Sequence, residues 1–415
     1  MGETRSGTAT VTARHDPEAE KLFFEIMSNP INDDPYSSYH RLREHAPALL
    51  LSDGTLVVSR YADCDAALRH RSLGKTDDMR GYLLTPIPEE EFRAAMALLQ
   101  RSMSFANPPE HTRLRGVVSS AFTNRHVEAL RAVITERTDQ MIDTLADAPD
   151  TDFMAALARP LPVSVIADLL GVPEPDRASI TPRFREFAAM AEPVVDAEVF
   201  ARAAAAQAEL AGYFAELLKH KRAHPADDLL SRLALAEGGL DDEEMTSTVL
   251  LLFGAGIETT TNLLGNGLYV LLTHAREFDR LRADPGLCDS AAEELLRYDS
   301  PVHLDARSVL EPATFAGAEL APGQNVTIML GAANRDPQRF ADPDRFDIGR
   351  TDNAHLSFAA GVHYCLGAHL TRLETSVFLE RLVARSSAVV LSGTPRRRAG
   401  LGLRGFAELP VTLTA

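Results

Sequence analysis

Ten residues near the end of the chain, Phe358-Ala359-Ala360-Gly361-Val362-His363-Tyr364-Cys365-Leu366-Gly367, set a cysteine between two glycines and beside a histidine. A lone cysteine is most often an inert buried thiol, but these neighbours favour another use. Glycine permits tight turns and close approach of the backbone to a flat ligand. The stretch that follows, Leu366 to Val383, has helical patterning, so the sulfur lies at a helix N-terminus. The dipole and free N–H groups there favour thiolate over thiol. A thiolate so placed is a good axial ligand for haem iron.

A second group of reactive side chains, Gly256, Glu258 and Thr259, sits inside a run that is apolar nearly all round, VLLLFGAGIETTTNLLGNGL. Glycine costs about 1 kcal/mol in a helix interior and threonine is a poor helix former. A buried acid is costlier still without a partner. Such local conflict within a long helix marks a functional site. The plainer reading is a buried helix whose threonine hydroxyls bond back to the preceding turn. Glu294 and Arg297 are three apart, an arrangement usually found as a solvated ion pair. Pro108-Pro109 leads into a charged helix on which His111 and Arg115, four apart, share one face.

The elements that must position these groups are mostly helical. Helical periodicity dominates from about Asp16 to Tyr298, broken by a strand-like patch at Leu49 to Ser59. The longest helix begins near Asp241, where Asp241 and Glu244 have capping-box spacing, and runs to about His274 without a proline. At 1.5 Å per residue it reaches roughly 50 Å, enough to cross the whole domain. Ser308 to Met329 reads as short strands joined by turns, one at Ala321-Pro322-Gly323, and Leu409 to Leu413 reads as a last strand. The Glu294–Arg297 pair lies on a helix entered at Asp289 or Ser290. No repeat or flexible linker divides the 415 residues. The expectation is a mainly α fold with small β-sheets, a single large domain over residues 1–415 with a flexible tail over about 1–20.

Composition narrows the class. Hydrophobic residues make up 45% and charged residues 24%, the profile of a globular protein with a large core. No run of 18 apolar residues appears, and the first residues lack the apolar segment of a secretory signal, so no membrane partner is expected. A net charge of −17 argues against nucleic acid. The three cysteines, Cys64, Cys288 and Cys365, form no disulfide framework and fit a reducing cytoplasm.

The ten-residue loop resembles the haem-binding loop FxxGxHxCxG of the cytochrome P450 superfamily and matches it at all five fixed positions. The departure is Ala359, where the family commonly has glycine. The resemblance extends along nearly the whole chain. Asp34-Pro35-Tyr36, Asn334-Arg335-Asp336-Pro337 and Leu403-Arg404-Gly405-Phe406 fall at familiar positions in order. The resemblance is to soluble bacterial members, of the actinobacterial kind that tailor secondary metabolites. It implies the cytochrome P450 fold, with the long helix crossing the haem, and haem b with an axial thiolate from Cys365. Phe358 and Gly361 belong to the loop against the cofactor, and His111, Arg115, Arg307 and His363 are donors to the haem propionates. It further implies that Glu294, Arg297 and a third residue from the Pro343-Asp344-Arg345-Phe346 loop brace the cysteine loop. Gly256 lets the long helix bulge, Thr259 bonds iron-bound dioxygen, and Glu258 relays protons.

The implied activity is that of a haem-thiolate monooxygenase hydroxylating or epoxidising a lipophilic small molecule such as a polyketide or macrolide, as in antibiotic biosynthesis. Oxidative coupling, desaturation and peroxygenation are the alternatives, and a haem-free partner protein is disfavoured by the intact Cys365. By analogy, substrate-facing positions lie in Gly74 to Gln100, Phe184 to Phe200, at Leu252, Phe253 and Ala255, and in Val302 to Asp305. A monomer is expected, taking electrons from a ferredoxin and its reductase, with Arg113, Arg372 and Arg396-Arg397-Arg398 as candidate docking cations on an otherwise acidic protein.

Overall fold

The computed structural model describes residues 12–75, 87–193, 196–236 and 239–414. Helices dominate, and the long one organises the rest. It spans Asp242–Thr273, with Asp241 as N-cap. The Asp241 carboxylate accepts from Glu244 N at 2.8 Å while Glu244 Oε2 accepts from Asp241 N at 3.0 Å, the reciprocal box that the spacing suggests. Such a cap is worth about 1 kcal/mol and fixes where the helix begins. From Glu244 to Leu271 most of its residues are buried. It packs against the helices Pro160–Leu170, Ala197–Ala223, Cys288–Tyr298 and Ala368–Arg385. An all-round apolar helix is stable only when covered in this way.

The strand-like patch is a hairpin, Ala48–Leu50 with Leu56–Val58, in register Leu49 to Val57. It extends a five-stranded sheet in the order Ala48–Leu50, Leu56–Val58, Asn325–Met329, Leu304–Val309 and Leu73–Gly74. Leu56–Val58 pairs in parallel with Asn325–Met329, and every other pairing in this sheet is antiparallel. The 308–329 segment is therefore strands joined by turns, with Gly323 in the left-handed region at φ +88°. The last strand, Pro410–Thr414, lies between Ala388–Leu391 and Thr151–Asp152.

Two boundaries differ from expectation. A tail over 1–20 is too long: Arg14 is bridged to Leu49, and a helix begins at Pro17, capped by Asp16. Residues 1–11 lie outside the described residues. The helix carrying Glu294 begins at Cys288, a residue ahead of Asp289. Among the described residues no helix is long and apolar enough to cross a membrane.

Candidate active site

A cleft of about 270 Å³, partly open to solvent, separates the middle of the long helix from the segment that carries Cys365. Leu251, Leu252, Ala255, Gly256, Thr259 and Thr260 form one wall, and Tyr364 to Gly367 with Leu370, Thr371 and Glu374 the other. Cys365 is the one cysteine of three that faces it. Cys64 is buried with its Sγ 3.4 Å from Val58 O, and Cys288 is buried in the main core, where burial pushes its thiol up to about 12.

The cysteine loop is held by its own backbone. Cys365 N donates to Phe358 O at 2.9 Å, and the helix Ala368–Arg385 starts three residues after the sulfur. Burial raises the Cys365 thiol, against the Gly367 N–H and the charges of Arg115 and Arg372, which favour thiolate. The helix-end effect inferred from the sequence is present but smaller than the burial. A bound cation deprotonates a coordinating thiol outright. Ala359 has φ +55°, so an alanine occupies a left-handed position that suits glycine. Gly361 also has positive φ, and a Cβ there would lie 2.5 Å from Leu68 O.

One edge of the cleft is cationic. Lys75, His111, Arg115, Asp305 and His363 line it. The His111 and His363 rings are 4.5 Å apart. Arg115 donates to Val362 O at 3.3 Å and Tyr364 O at 2.8 Å, tying its helix, Glu110–Ser119, to the cysteine loop. Lys75 and Arg307 both bond Asp305, at 2.9 and 2.8 Å. Burial would raise the Asp305 carboxyl, but these two cations hold it well below the usual range. Burial, with Arg307 and Lys75 alongside, pushes His363 down to about 3. Arg307 Nη2 and His363 Nε2 are buried without a partner. Buried donors are rarely left unpaired in a native protein, so this edge fits the carboxylates of a flat acidic ligand. The thiol on the adjoining wall fits its metal. Among the described residues no cluster of three or more His, Cys, Asp or Glu is arranged to hold a bare ion.

On the opposite wall the long helix runs on as α-helix through Gly256, and the bulge implied there is not formed. Thr259 Oγ1 donates to Ala255 O at 2.7 Å, the back-bonded arrangement. Glu258 is ion-paired to Arg398, 2.9 Å away. Behind the cysteine loop, Glu294 and Arg297 are fully buried and joined by two bonds of 2.8 Å. The loop 343–346 contributes carbonyls rather than a side chain: Arg297 donates to Pro343 O at 2.7 Å and Arg345 O at 3.2 Å. The third side chain is Arg350, whose Nε is 3.2 Å from Glu294 Oε2. The Arg345 side chain is 64% exposed and points away.

Several positions assigned by analogy fall elsewhere. Lys75, Leu252, Ala255 and Asp305 do line the cleft. Phe253 is instead buried in the core, stacked on Phe184 at 4.4 Å. His303 is buried between Tyr36 and Tyr39, bonded to the Tyr39 hydroxyl at 2.9 Å. Residues 76–86 and 194–195 lie outside the described residues. Met103, Ser104, Ile166, Leu251 and Glu374 line the cleft without having been singled out. Glu374 had a sequence signal: an acid set four residues from both Leu370 and Phe378 on a helix face that is otherwise apolar. The arginine run 396–398, a candidate for docking, is engaged with carboxylates of the chain itself. Arg396 pairs with Glu408, Arg397 is buried against Phe406 and Asp299, and Arg398 reaches Glu258.

Comparison with known proteins identifies the family. The Cytochrome P450 family profile matches residues 182–285 and 286–400. The chain is 40% identical to the cytochrome P450 monooxygenase PikC of Streptomyces venezuelae, over 91% of each chain. It is 35% identical to 6-deoxyerythronolide B hydroxylase of Saccharopolyspora erythraea, over 94% of this chain and 98% of the relative. Its fold matches the crystal structure of P450BioI in complex with a hexadec-9Z-enoic acid-ligated acyl carrier protein, with a TM-score of 0.87 at 33% identity. That match covers 94% of this chain and all of that one. The chain belongs to the cytochrome P450 family and is a monooxygenase whose cofactor is haem b on a cysteine thiolate.

Proposed function

We propose that Cys365 is the iron ligand and that the chain oxidises a lipophilic small molecule of the polyketide or macrolide kind. The carrying observation is that Cys365 alone of the three cysteines opens on the cleft, facing the Ala255–Thr260 wall. When bound, the haem supplies reductive activation of dioxygen: the substrate gains one oxygen atom, and two electrons and two protons carry the other to water. The neutral His111 and His363 rings, Arg115 and Arg307 bind the propionates, and the unpaired donors of Arg307 and His363 are the direct support. Phe358 and Gly361 shape the loop against the porphyrin. Thr259 turns its hydroxyl from the Ala255 carbonyl toward the cleft and passes on a proton that Glu258 resupplies. General-acid delivery of this kind contributes about 10²- to 10⁴-fold.

The substrate class rests on the lining and on the relatives, one named for polyketide biosynthesis and another for hydroxylating 6-deoxyerythronolide B. Met103, Ile166, Leu251 and Leu252 offer apolar surface, while Ser104, Lys75 and Asp305 offer a few polar contacts. A ferredoxin with its reductase supplies the electrons. The test is the carbon monoxide difference spectrum of the reduced protein, followed by spin-state titration with macrolactones. Cys365→Ala is expected to abolish the thiolate band while Cys288→Ala keeps it. Retention of the band in Cys365→Ala would sink the assignment. Thr259→Ala is expected to keep the spectrum and divert electrons into peroxide.

A further inference from the structure

Glu258 is linked through a single guanidinium to a second, more distant carboxylate. Arg398 Nη1 lies 2.9 Å from Glu258 Oε1, and Arg398 Nη2 lies 3.8 Å from Glu192 Oε1. Glu192 follows the short helix Ala188–Ala191, in the connection between the helices Glu174–Phe187 and Ala197–Ala223. Its buried carboxylate accepts three consecutive amides, Leu401 N at 2.8 Å, Gly402 N at 2.9 Å and Leu403 N at 3.3 Å. The loop closes tightly here: a Cβ on Gly400 would lie 2.5 Å from Glu192 Oε1 and 2.7 Å from Leu403 O. The end of the helix that leads into this connection rests on the long helix, where a Cβ on Gly254 would meet the Phe187 ring at 3.1 Å. Arg159 also senses Glu258, from the start of the Pro160–Leu170 helix, where it donates to Ala407 O at 2.6 Å, and Arg185 and Asp152 lie within its field as well. Glu408, paired with Arg396, also lies within the field of Arg159.

We propose that Arg398 is a positioning residue that couples the seating of residues 188–192 on the Leu401–Leu403 loop to the orientation and charge of Glu258. The proposal rests on the proton-relay role given to Glu258 above. A guanidinium shared between two carboxylates holds each less firmly than it would hold one alone, and the second carboxylate favours protonation of the first. With Glu192 seated, Glu258 is free to take and give a proton. With Glu192 withdrawn, Arg398 locks Glu258 into a one-to-one pair. Proton supply thus becomes conditional on residues 188–192 being in place.

Two measurements on the full-length holoprotein test this. Hydrogen exchange at the amides of Leu401, Gly402 and Leu403, without turnover, reads the seat. Peroxide released per NADPH, with a surrogate ferredoxin and reductase and with dioxygen alone as the probe, reads proton supply across the neutral pH range. Arg398→Gln is expected to speed exchange and to move the pH midpoint upward by about one unit, because Glu258 then faces Glu192 without the cation. Arg398→Lys is expected to restore most of both. Glu192→Gln is expected to speed exchange and to raise peroxide per NADPH about twofold. Unchanged exchange in Arg398→Gln and Glu192→Gln, or an unmoved pH midpoint in Arg398→Gln, overturns the coupling. Glu258→Gln separates the two readings: wild-type peroxide yield in that variant overturns the relay role and the coupling with it. A changed yield in Glu258→Gln beside an unmoved Arg398→Gln overturns the coupling alone.

Discussion

Arg350, rather than Arg345, is the second cation on the buried carboxylate of Glu294. Its Nε lies 3.2 Å from Glu294 Oε2, whereas Arg345 offers only its main-chain carbonyl, to Arg297. Glu294 also accepts from Asp347 N at 2.9 Å and Asn353 Nδ2 at 3.2 Å. One carboxylate thereby gathers residues 347 to 353 against the Cys288–Tyr298 helix, a few residues ahead of the cysteine loop.

The two arginines therefore separate in a stability experiment. Arg350→Ala removes one of several partners from a buried charge and is expected to cost about 1–3 kcal/mol. Arg297→Ala leaves that charge without its main partner and is expected to cost about 3–5 kcal/mol and much of the haem. Arg345→Ala, which shortens an exposed side chain, is expected to stay within about 0.5 kcal/mol. Denaturant unfolding with haem absorbance as a second probe distinguishes the three. Equal losses in Arg345→Ala and Arg350→Ala would contradict the assignment.

Ala359 offers a gain rather than a loss. A left-handed backbone costs a residue with a Cβ roughly 1–2 kcal/mol, while glycine gives back about 0.5–1 kcal/mol through the unfolded chain. Ala359→Gly is thus expected to stabilise the loop by up to about 1 kcal/mol. Gly361→Ala is the counterpart, since its new Cβ would press on Leu68 O, a backbone atom that cannot swing aside. It is expected to fail to retain haem. Chemical denaturation and haem content measure both, and a loss of stability in Ala359→Gly would refute the strain argument.

What the sequence made legible is what local spacing encodes. The capping box at Asp241, the extent of the long helix, the hairpin at 48–58 and the cysteine loop all depend on near neighbours. Partners brought from afar were not legible. Nothing near Arg398 in the chain points to Glu258, 140 positions earlier, and a run of three arginines looks like a solvated turn until Arg397 is found beneath Phe406. Phe253 was misplaced for a related reason. A helix that is apolar all round carries no mark of which face meets the cleft and which meets Phe184 and Phe214. His303 was misplaced because its neighbours Tyr36 and Tyr39 come from the far end of the chain.

Glu374 gives stability a pH dependence of unusual sign. It is buried on the Ala368–Arg385 helix, Oε2 has no hydrogen-bond partner, and burial pushes its carboxyl up to about 8. Unfolded, the same group ionises near its ordinary value of 4.5. Between these two values the folded protein binds more protons than the unfolded one, so the contribution of Glu374 is full below the lower value. It is lost as pH rises toward the upper one. Glu374→Gln removes this dependence without changing shape. The variant is expected to gain on the wild type between pH 5 and about 8 in urea unfolding. Parallel stability curves across that window would show that Glu374 is already ionised in the folded protein.

Two of the arginines first considered for docking an acidic electron donor, Arg113 and Arg372, now part company. Arg113 is committed to the beginning of the long helix, where it pairs with Glu110, bonds Glu244 at 2.5 Å and donates to Gly239 O at 2.6 Å. Arg372 lies on the helix that follows Cys365, with its guanidinium 4.5 Å from the Phe358 ring centroid and 3.2 Å from the Tyr364 hydroxyl. Its pairing with Glu293, at 2.6 Å, leaves it about one third exposed beside a shallow depression lined by Arg131, His369 and Glu128. Charge reversal at Arg372 is therefore expected to slow reduction by a surrogate ferredoxin about tenfold at low salt, with the difference shrinking as salt screens the encounter. Arg113→Glu is expected to weaken the helix start and leave the reduction rate near that of wild type. Stopped-flow reduction under carbon monoxide at several ionic strengths measures both. An equal and salt-dependent loss in the two variants would place the docking surface across the Glu110–Ser119 helix instead of around Arg372.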